Sequence, residues 1–162
     1  MALPSAANRP PLLILVALKH EYRAVQPLLK GREALRADTF KYEKGDIAGL
    51  PVAAAVTGVG KSRAAAACAA LLERERPCGI ILAGFAGGLK DDLATGDLVI
   101  AREIREIDAG GCAGEPPWTL PQEILEAAAR ITVPGRRVVQ GILAAVDRVF
   151  ITPAEKRELA RA

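Results

Sequence analysis

The stretch Val56–Ser62, "VTGVGKS", places two glycines, a lysine and a serine directly after an apolar run. Together with Ala55 it nearly matches the P-loop, whose backbone N–H groups and lysine hold the phosphates of a nucleoside triphosphate. Against that chemistry, the pattern begins with alanine instead of glycine, and no acidic residue ends the next apolar strand, where it would hold magnesium. Two other interpretations stay open, because Gly58 and Gly60 fit either a plain strand-to-helix turn or the wall of a binding crevice.

A second glycine loop, residues 84–88 ("GFAGG"), follows the next apolar strand, and Lys19-His20-Glu21 follows the first one. In an open α/β sheet, the loops at the carboxyl ends of the strands line the binding crevice. Glycine lets a ligand approach the backbone N–H groups, which can hold an anion or a sugar hydroxyl. The pattern therefore predicts a small-molecule site, with Lys19, His20 and Lys61 as candidate anion-binding groups.

Apolar runs that suit strands buried on both faces alternate with helical patterns along the chain. This alternation predicts an α/β fold with a largely parallel, helix-covered sheet. We expect a loose N-terminal tail over residues 1–10 and a single domain over residues 11–162. The predicted elements are a strand at Leu12–Leu18, helices at Glu21–Leu29, Ser62–Glu75 and Pro121–Ile131, two strands joined around "AGLP", strands in "CGIILAG" and "GDLVIARE", a strand at Arg137–Val146, a loop at "GGCAGEPPW" and a helix beginning at Pro153.

The composition is that of an ordinary globular protein, with 51% hydrophobic and 25% charged residues. A formal net charge of +3, with both signs scattered along the chain, is too small to indicate a nucleic-acid partner. The one basic cluster, Arg130, Arg136 and Arg137, contains no aromatic residues and is typical of a solvated surface.

The cysteine and histidine content predicts neither a metal site nor a disulfide scaffold. Three cysteines form no CxxC pair, and there is a single histidine. An odd cysteine count favours a reducing compartment. The apolar run Pro11–Leu18 is too short to span a bilayer. We therefore expect a cytoplasmic protein that needs no cofactor and has no membrane partner.

Three segments resemble the purine nucleoside phosphorylase and nucleosidase superfamily, most closely its 5′-methylthioadenosine/S-adenosylhomocysteine nucleosidases. "LLILVALKHEYRAVQPLL" resembles the first strand and helix of that family. Residues 56–103 resemble its block Ser-Gly-Ile-Gly-Lys, a helix, Gly-Ser-Ala-Gly-Gly-Leu and Gly-Asp-Ile-Val-Val, and "QGILAAVDRVF" resembles Gly-Leu-Ile-Xaa-Ser-Gly-Asp-Xaa-Phe. The resemblance implies a three-layer α/β/α fold with a mostly parallel or mixed central sheet, and cleavage of the N-glycosidic bond between a purine and a ribose.

The resemblance also implies roles for individual residues. The last glutamate of the family's Glu-Glu-Glu falls on Glu21, which would activate the attacking water, because an oxocarbenium-like ribosyl centre needs a held and deprotonated nucleophile. Asp147 matches the Asp of the family's Ser-Gly-Asp. The further substrate-binding candidates are the loop residues Gly58, Gly60, Phe85, Ala86, Gly87 and Gly88, an arginine at Arg105, and the base-binding segment with Val149 and Phe150.

The sequence also departs from the family's pattern. Phe85 replaces a serine, and Lys19 and His20 replace two glutamates. The sequence ends at Ala162, before the Met-Glu and Ser-Asp motifs that hold the ribose hydroxyls and protonate the purine in that family. We therefore expect a C-terminally incomplete fold, with an uncovered sheet edge that favours a homo-oligomer.

Three functions remain open at this stage. The first is hydrolysis of purine nucleosides or 5′-thionucleosides, and the second is phosphorolysis with phosphate as co-substrate. The third, from a different class, is nucleoside binding without catalysis by a remnant that lacks the general acid. Release of base with and without phosphate separates the first two, and binding without turnover supports the third.

Overall fold

The computed structural model describes residues 9–108, 111–112 and 116–161. The chain forms two compact units that divide after Phe85. Most of the expected N-terminal tail and part of the expected loop around residues 110–118 lie outside the described residues. The single domain expected over residues 11–162 stays a prediction.

The first unit contains one mixed five-stranded sheet. Its central strand, β1, runs parallel to both of its neighbours, β4 and β5, whereas β2, β3 and β4 pair antiparallel. The strand order is β2-β3-β4-β1-β5. The elements are β1 (Leu12–Val16), α1 (Lys19–Val25), a 3₁₀ turn (Gln26–Leu28), β2 (Lys30–Ala37), β3 (Phe40–Ile47), β4 (Leu50–Val56), α2 (Lys61–Glu75) and β5 (Gly79–Leu82).

The core of the first unit lies on both faces of this sheet. On one face, Leu71 of α2 packs with Leu13 and Ala53, and all three side chains are fully buried. On the other face, Val52 and Ala54 pack with residues of α1, including Tyr22. Alternate residues of β1 and β4 thus serve opposite faces, which explains why both strands are apolar throughout. The unit has the α/β/α layering implied by the resemblance.

The second unit is built around the long strand β6. Strand β9 runs parallel to β6, and the two-residue strands β7 and β8 pair with it antiparallel. The elements are β6 (Leu98–Asp108), β7 (Gly111–Cys112), β8 (Trp118–Thr119), α3 (Gln122–Ala128), β9 (Val138–Val146) and α4 (Pro153–Leu159).

Most predicted elements are present, with three corrections. The helix expected over Glu21–Leu29 begins at Lys19 and ends at Val25, because Pro27 lacks the N–H that an α-helical turn would need there, and a 3₁₀ turn replaces it. Strand β2 was not predicted, since seven of its eight residues are not buried and four are charged. The helix expected over Pro121–Ile131 is shorter, at Gln122–Ala128.

No helix in the described parts of the chain is both long and apolar enough to cross a membrane.

Candidate active site

Three chain segments meet at one edge of the sheet in the first unit. Because β1 is parallel to β4 and β5, the carboxyl ends of all three strands lie at the same edge. The backbone pairing continues past the strands, since the N–H of Thr57 donates to the carbonyl of Val16 at 2.8 Å and the N–H of Ala83 donates to the carbonyl of Leu15 at 2.9 Å. The first turn of α1, the loop at Gly58 and the loop beginning at Gly84 are therefore adjacent, as the sequence predicts.

Glu21 is the buried charged residue at this edge, with 8% of its surface exposed. Its position in the first turn of α1 lets the carboxylate reach back, so that Oε2 accepts the N–H of Leu18 at 2.7 Å. The other oxygen, Oε1, accepts the N–H of Phe85 at 2.9 Å. No cation pairs with Glu21 among the residues that the structure describes. A carboxylate held by two N–H groups keeps further lone pairs free to accept a proton or a hydrogen bond.

Gly84 is required for this arrangement, although it is not among the site residues predicted from the sequence. A Cβ at Gly84 would lie 2.7 Å from Oε1 of Glu21 and 3.2 Å from its carboxyl carbon. Any side chain would therefore push the carboxylate away from the N–H of Phe85. The sequence does contain a signal for this role, because Gly84 is the first residue of the glycine-rich loop 84–88.

Phe85 and His20 form a stacked aromatic pair beside Glu21. Their ring centroids are 5.5 Å apart, and the ring planes differ by 15°. Phe85 is 79% exposed, so most of its ring faces solvent within the unit. The substitution of phenylalanine for the serine of the related motif thus adds an exposed apolar ring next to the carboxylate. Lys19, also proposed for anion binding, is exposed at the start of α1.

The loop "TGVGKS" turns the chain sharply from β4 into α2. Gly58 and Gly60 have φ angles of +86° and +109°, which side chains other than glycine rarely adopt. The side chain of Arg63 covers Gly58, with its Cδ 3.1 Å from the position that a Cβ would occupy. Lys61 is the first residue of α2 and already has an interaction within the protein. The turn interpretation is therefore correct, and it is compatible with the crevice interpretation.

The remaining predicted residues belong to the second unit. Gly87 lies near Lys156, whose Nζ is 3.7 Å from the position of a Cβ on Gly87, and Gly88 packs against Leu93. Arg105 of β6 forms an ion pair with Glu103. Ala86 is exposed.

The segment after β9 contains the other candidates. Asp147 is exposed and has an interaction of its own, and Val149 is 76% exposed. Phe150 is half-buried beneath the guanidinium of Arg148, whose central carbon lies 4.2 Å from the ring centroid. This cation–π contact was not predicted, and the adjacent positions of the two residues gave no signal for it.

The geometry describes an α/β protein with a buried carboxylate, held by two backbone N–H groups, at the carboxyl edge of parallel strands and next to two glycine loops. The model of the phosphorylase superfamily matches residues 11–162. The chain belongs to this superfamily, which confirms the resemblance and favours the crevice interpretation over the P-loop.

Relatives of known function and structure are nucleosidases of this superfamily. The 5′-methylthioadenosine/S-adenosylhomocysteine nucleosidase of Bacillus thuringiensis is 30% identical over an alignment of 154 residues, with coverage of 88% of this chain and 67% of the relative. A crystal structure of the nucleosidase of that name from Neisseria meningitidis, in complex with methylthio-immucillin-A, is 27% identical with a TM-score of 0.82, covering 93% of this chain and 71% of that one. The adenine-bound enzyme of Colwellia psychrerythraea shares the fold at 20% identity and a TM-score of 0.84, over 95% of this chain and 69% of that one.

Proposed function

We propose that the protein hydrolyses the N-glycosidic bond of purine nucleosides or 5′-thionucleosides, with Glu21 as the group that activates water. The observation that supports this most directly is the Glu21 carboxylate, buried at the strand edge and held by two backbone N–H groups. The names of the relatives, which are 5′-methylthioadenosine/S-adenosylhomocysteine nucleosidases, point to the same reaction class.

The reaction requires activation of the water nucleophile and departure of the purine leaving group. Glu21 accepts a proton from water while the water oxygen bonds to C1′ of the ribose. The electrons of the breaking C–N bond pass to the purine, which takes up a proton from solvent as it leaves. The ribosyl centre is oxocarbenium-like in the transition state, so a fixed carboxylate nearby also stabilises the positive charge. Fixation by Leu18 and Phe85 matters, because a general base is effective only within hydrogen-bond reach of its proton.

The other candidate residues take substrate-binding roles in this proposal. The backbone at Gly87 and Gly88 contacts the ribose, and Phe150 with Val149 contacts the base. Phe85 and Ala86 contribute to the loop beside the sugar, and Gly58 and Gly60 form one wall of the nucleoside crevice. Arg105 is included among the substrate-binding residues because of the family resemblance. Its ion pair with Glu103 explains an arginine at this position equally well.

Several properties of the protein belong to the proposal as well. We propose a cytoplasmic homo-oligomer that acts without a cofactor. Among the described residues, no group of three or more histidine, cysteine or acidic side chains is placed to hold a metal ion. Sedimentation at micromolar concentration tests the oligomer, and a clean monomer would contradict it.

The decisive experiment is release of adenine from 5′-methylthioadenosine by the full chain, measured with and without phosphate. We expect release that does not depend on phosphate, with free methylthioribose as the second product. The Glu21→Gln variant should lower kcat by about 10²–10⁴-fold, since a positioned general base is typically worth that much. Glu73→Gln, which changes an exposed glutamate of α2 in the same unit, is the matched control and should be unchanged.

The outcomes separate the three functions. Release that requires phosphate and yields a sugar phosphate would identify a phosphorylase. Binding of the nucleoside without release would identify a non-catalytic protein. Release that is unaffected by Glu21→Gln would remove Glu21 from the mechanism and leave the reaction in place.

A further inference from the structure

The hydrogen bond from Phe85 fixes the orientation of the Glu21 carboxylate. Oε2 of Glu21 accepts the N–H of Leu18, only three residues away, so this bond belongs to the first turn of α1 itself. A single hydrogen bond leaves a carboxylate able to pivot about the bonded oxygen. The second bond, from the N–H of Phe85 to Oε1 at 2.9 Å, removes that freedom. The direction in which Glu21 presents its remaining lone pairs therefore depends on where the backbone of Phe85 lies.

Phe85 has few other anchors in the first unit. The pairing of β5 with β1 continues to the N–H of Ala83, which donates to the carbonyl of Leu15 at 2.9 Å. Phe85 makes no backbone–backbone hydrogen bond with any residue that the structure describes. Its side chain is 79% exposed, so packing in the core does not hold it either. The position of Phe85 therefore depends on its contacts with the first turn of α1.

His20 supplies the second of those contacts. The rings of His20 and Phe85 are stacked, with centroids 5.5 Å apart and planes 15° from parallel. This distance is within the range of about 4.5–7 Å in which aromatic side chains attract each other. Two consecutive residues of α1 thus hold Phe85 at two points, since His20 contacts its ring and Glu21 accepts its N–H.

We propose that His20 is a positioning residue, whose ring stacks on Phe85 and thereby holds the Phe85 N–H on the Oε1 atom of Glu21. The inference rests on the proposed function and deepens it, because it adds a residue on which the orientation of the general base depends. It uses the ring plane of His20 and not the ring nitrogens, which is a role other than the anion binding predicted from the sequence. Both members of the pair depart from the motifs that the sequence resembles, where glutamate and serine stand at these positions.

Amide hydrogen exchange in the full chain tests the contact independently of turnover. NMR measures the exchange rate of the Phe85 N–H in the wild type and in three variants. His20→Ala should make this exchange about two- to tenfold faster, since a stacked aromatic pair of typical strength shifts an opening equilibrium by that factor. His20→Phe supplies a ring without nitrogens and should restore the slow exchange. Arg23→Ala, which changes an exposed residue of α1, is the matched control and should leave the rate unchanged.

The imidazole of His20 provides a second structural measurement, because it is the only histidine in the sequence. Its ring-proton signals are therefore identified directly in the NMR spectrum. The ring current of the stacked phenyl group shifts these signals upfield, and Phe85→Ala should return them to the position of an exposed histidine. Signals that do not move in Phe85→Ala would show that the rings are not stacked in solution and would overturn the inference.

Steady-state hydrolysis of 5′-methylthioadenosine connects the contact to catalysis. We expect His20→Ala to lower kcat about two- to tenfold and to leave KM unchanged, because the orientation of Glu21 affects water activation and not nucleoside binding. His20→Phe should retain the wild-type kcat. In a Phe85→Ala background, His20→Ala should have no further effect on kcat, because its partner ring is already absent.

The outcomes distinguish this inference from the function on which it rests. Unchanged exchange of the Phe85 N–H in His20→Ala would overturn the inference, with or without turnover. A raised KM at unchanged kcat would make His20 a substrate contact, and equal losses of kcat in His20→Ala and His20→Phe would assign the role to the nitrogens. Either result overturns the inference and leaves the proposed function in place. If the wild type releases no base and exchange responds as expected, the proposed function is wrong and the positioning of Glu21 through His20 and Phe85 stands.

Discussion

Two glutamates of the first unit, the buried Glu21 and the half-buried Glu75, are held in opposite ways. Glu75 ends α2, where its Oε2 pairs with Lys44 at 2.8 Å and its Oε1 accepts the hydroxyl of Tyr42. Arg74 in turn donates to the oxygen of Tyr42 at 2.9 Å. Glu21 has two backbone N–H groups and no cation among the described residues.

The difference supports the proposed division of roles, in which Glu75 is structural and Glu21 reacts. At the C-terminus of a helix a negative charge is unfavourable, so Glu75 requires the cations that surround it. Burial raises the pKa of Glu75, and the hydrogen bonds from Lys44 and Tyr42 outweigh that effect, so that its pKa is below the ordinary value of 4.5. A carboxylate stabilised in this way is a poor proton acceptor. No cation pairs with Glu21 in the parts of the chain that the structure describes.

The largest loss of activity should come from a substitution that places a new side chain against the Glu21 carboxylate. Gly84→Ala places a methyl group 2.7 Å from the Oε1 position of Glu21, which displaces the carboxylate. We expect kcat/KM for nucleoside hydrolysis to fall about 10²-fold, as is typical when a reacting group is misplaced by about 1 Å. Steady-state assays with 5′-methylthioadenosine provide the measurement.

Gly79→Ala is the control for that substitution, because Gly79 begins β5, the strand that leads into the Gly84 loop. A Cβ there would make only an ordinary contact, 3.5 Å from Leu12 Cδ1. If the two variants lose activity equally, the effect comes from β5 as a whole and the contact with Glu21 is irrelevant.

A substitution at Glu75 should lower the stability of the protein and leave its activity unchanged, whereas Gly84→Ala should lower activity. Glu75→Gln removes the charge that Lys44 and Arg74 compensate, so we expect the free energy of unfolding to fall by about 1–3 kcal/mol. Urea denaturation measures the loss. The kcat of the folded variant should equal that of the wild type, and a reduced kcat would show that the two glutamates are not separable.

The smallest predicted effect is the contribution of Glu75 to the pH dependence of folding stability. Because its pKa is lower in the folded than in the unfolded state, its stabilising contribution is present above about pH 4.5 and is lost as the pH falls through the folded value. Thermal unfolding of wild type and Glu75→Gln between pH 7 and pH 3 should therefore converge at low pH. Parallel curves would mean that Glu75 has the same pKa in both states.

The elements that could be predicted from the sequence are those with a strong local pattern. The apolar run of β1, the alanine-rich helix α2 and the strand β9 all lie close to their predicted positions. Strand β2 could not be found, because edge strands carry charged residues and lack the alternation that marks a half-buried strand. The end of α1 was missed because Pro27 ends the helix two residues before the proline itself, at Val25.

Some features of the candidate site could likewise be predicted from the sequence, and others could not. Glu21 and the two glycine loops were found from motif and resemblance, because each motif is contiguous in the sequence. The hydrogen bond from Phe85 to Glu21 spans 64 positions, and the stacking of Phe85 on His20 spans a similar distance. Contacts of this kind leave no local pattern.

The sequence by itself determined the α/β class, the superfamily and the glycines at the strand ends, since these depend on short-range periodicity and on motifs. Tertiary structure alone decided that Glu21 is held by backbone N–H groups while Glu75 is neutralised by cations. The physical reason is that the availability of a carboxylate depends on its burial and its partners, and here those partners come from other strands and loops.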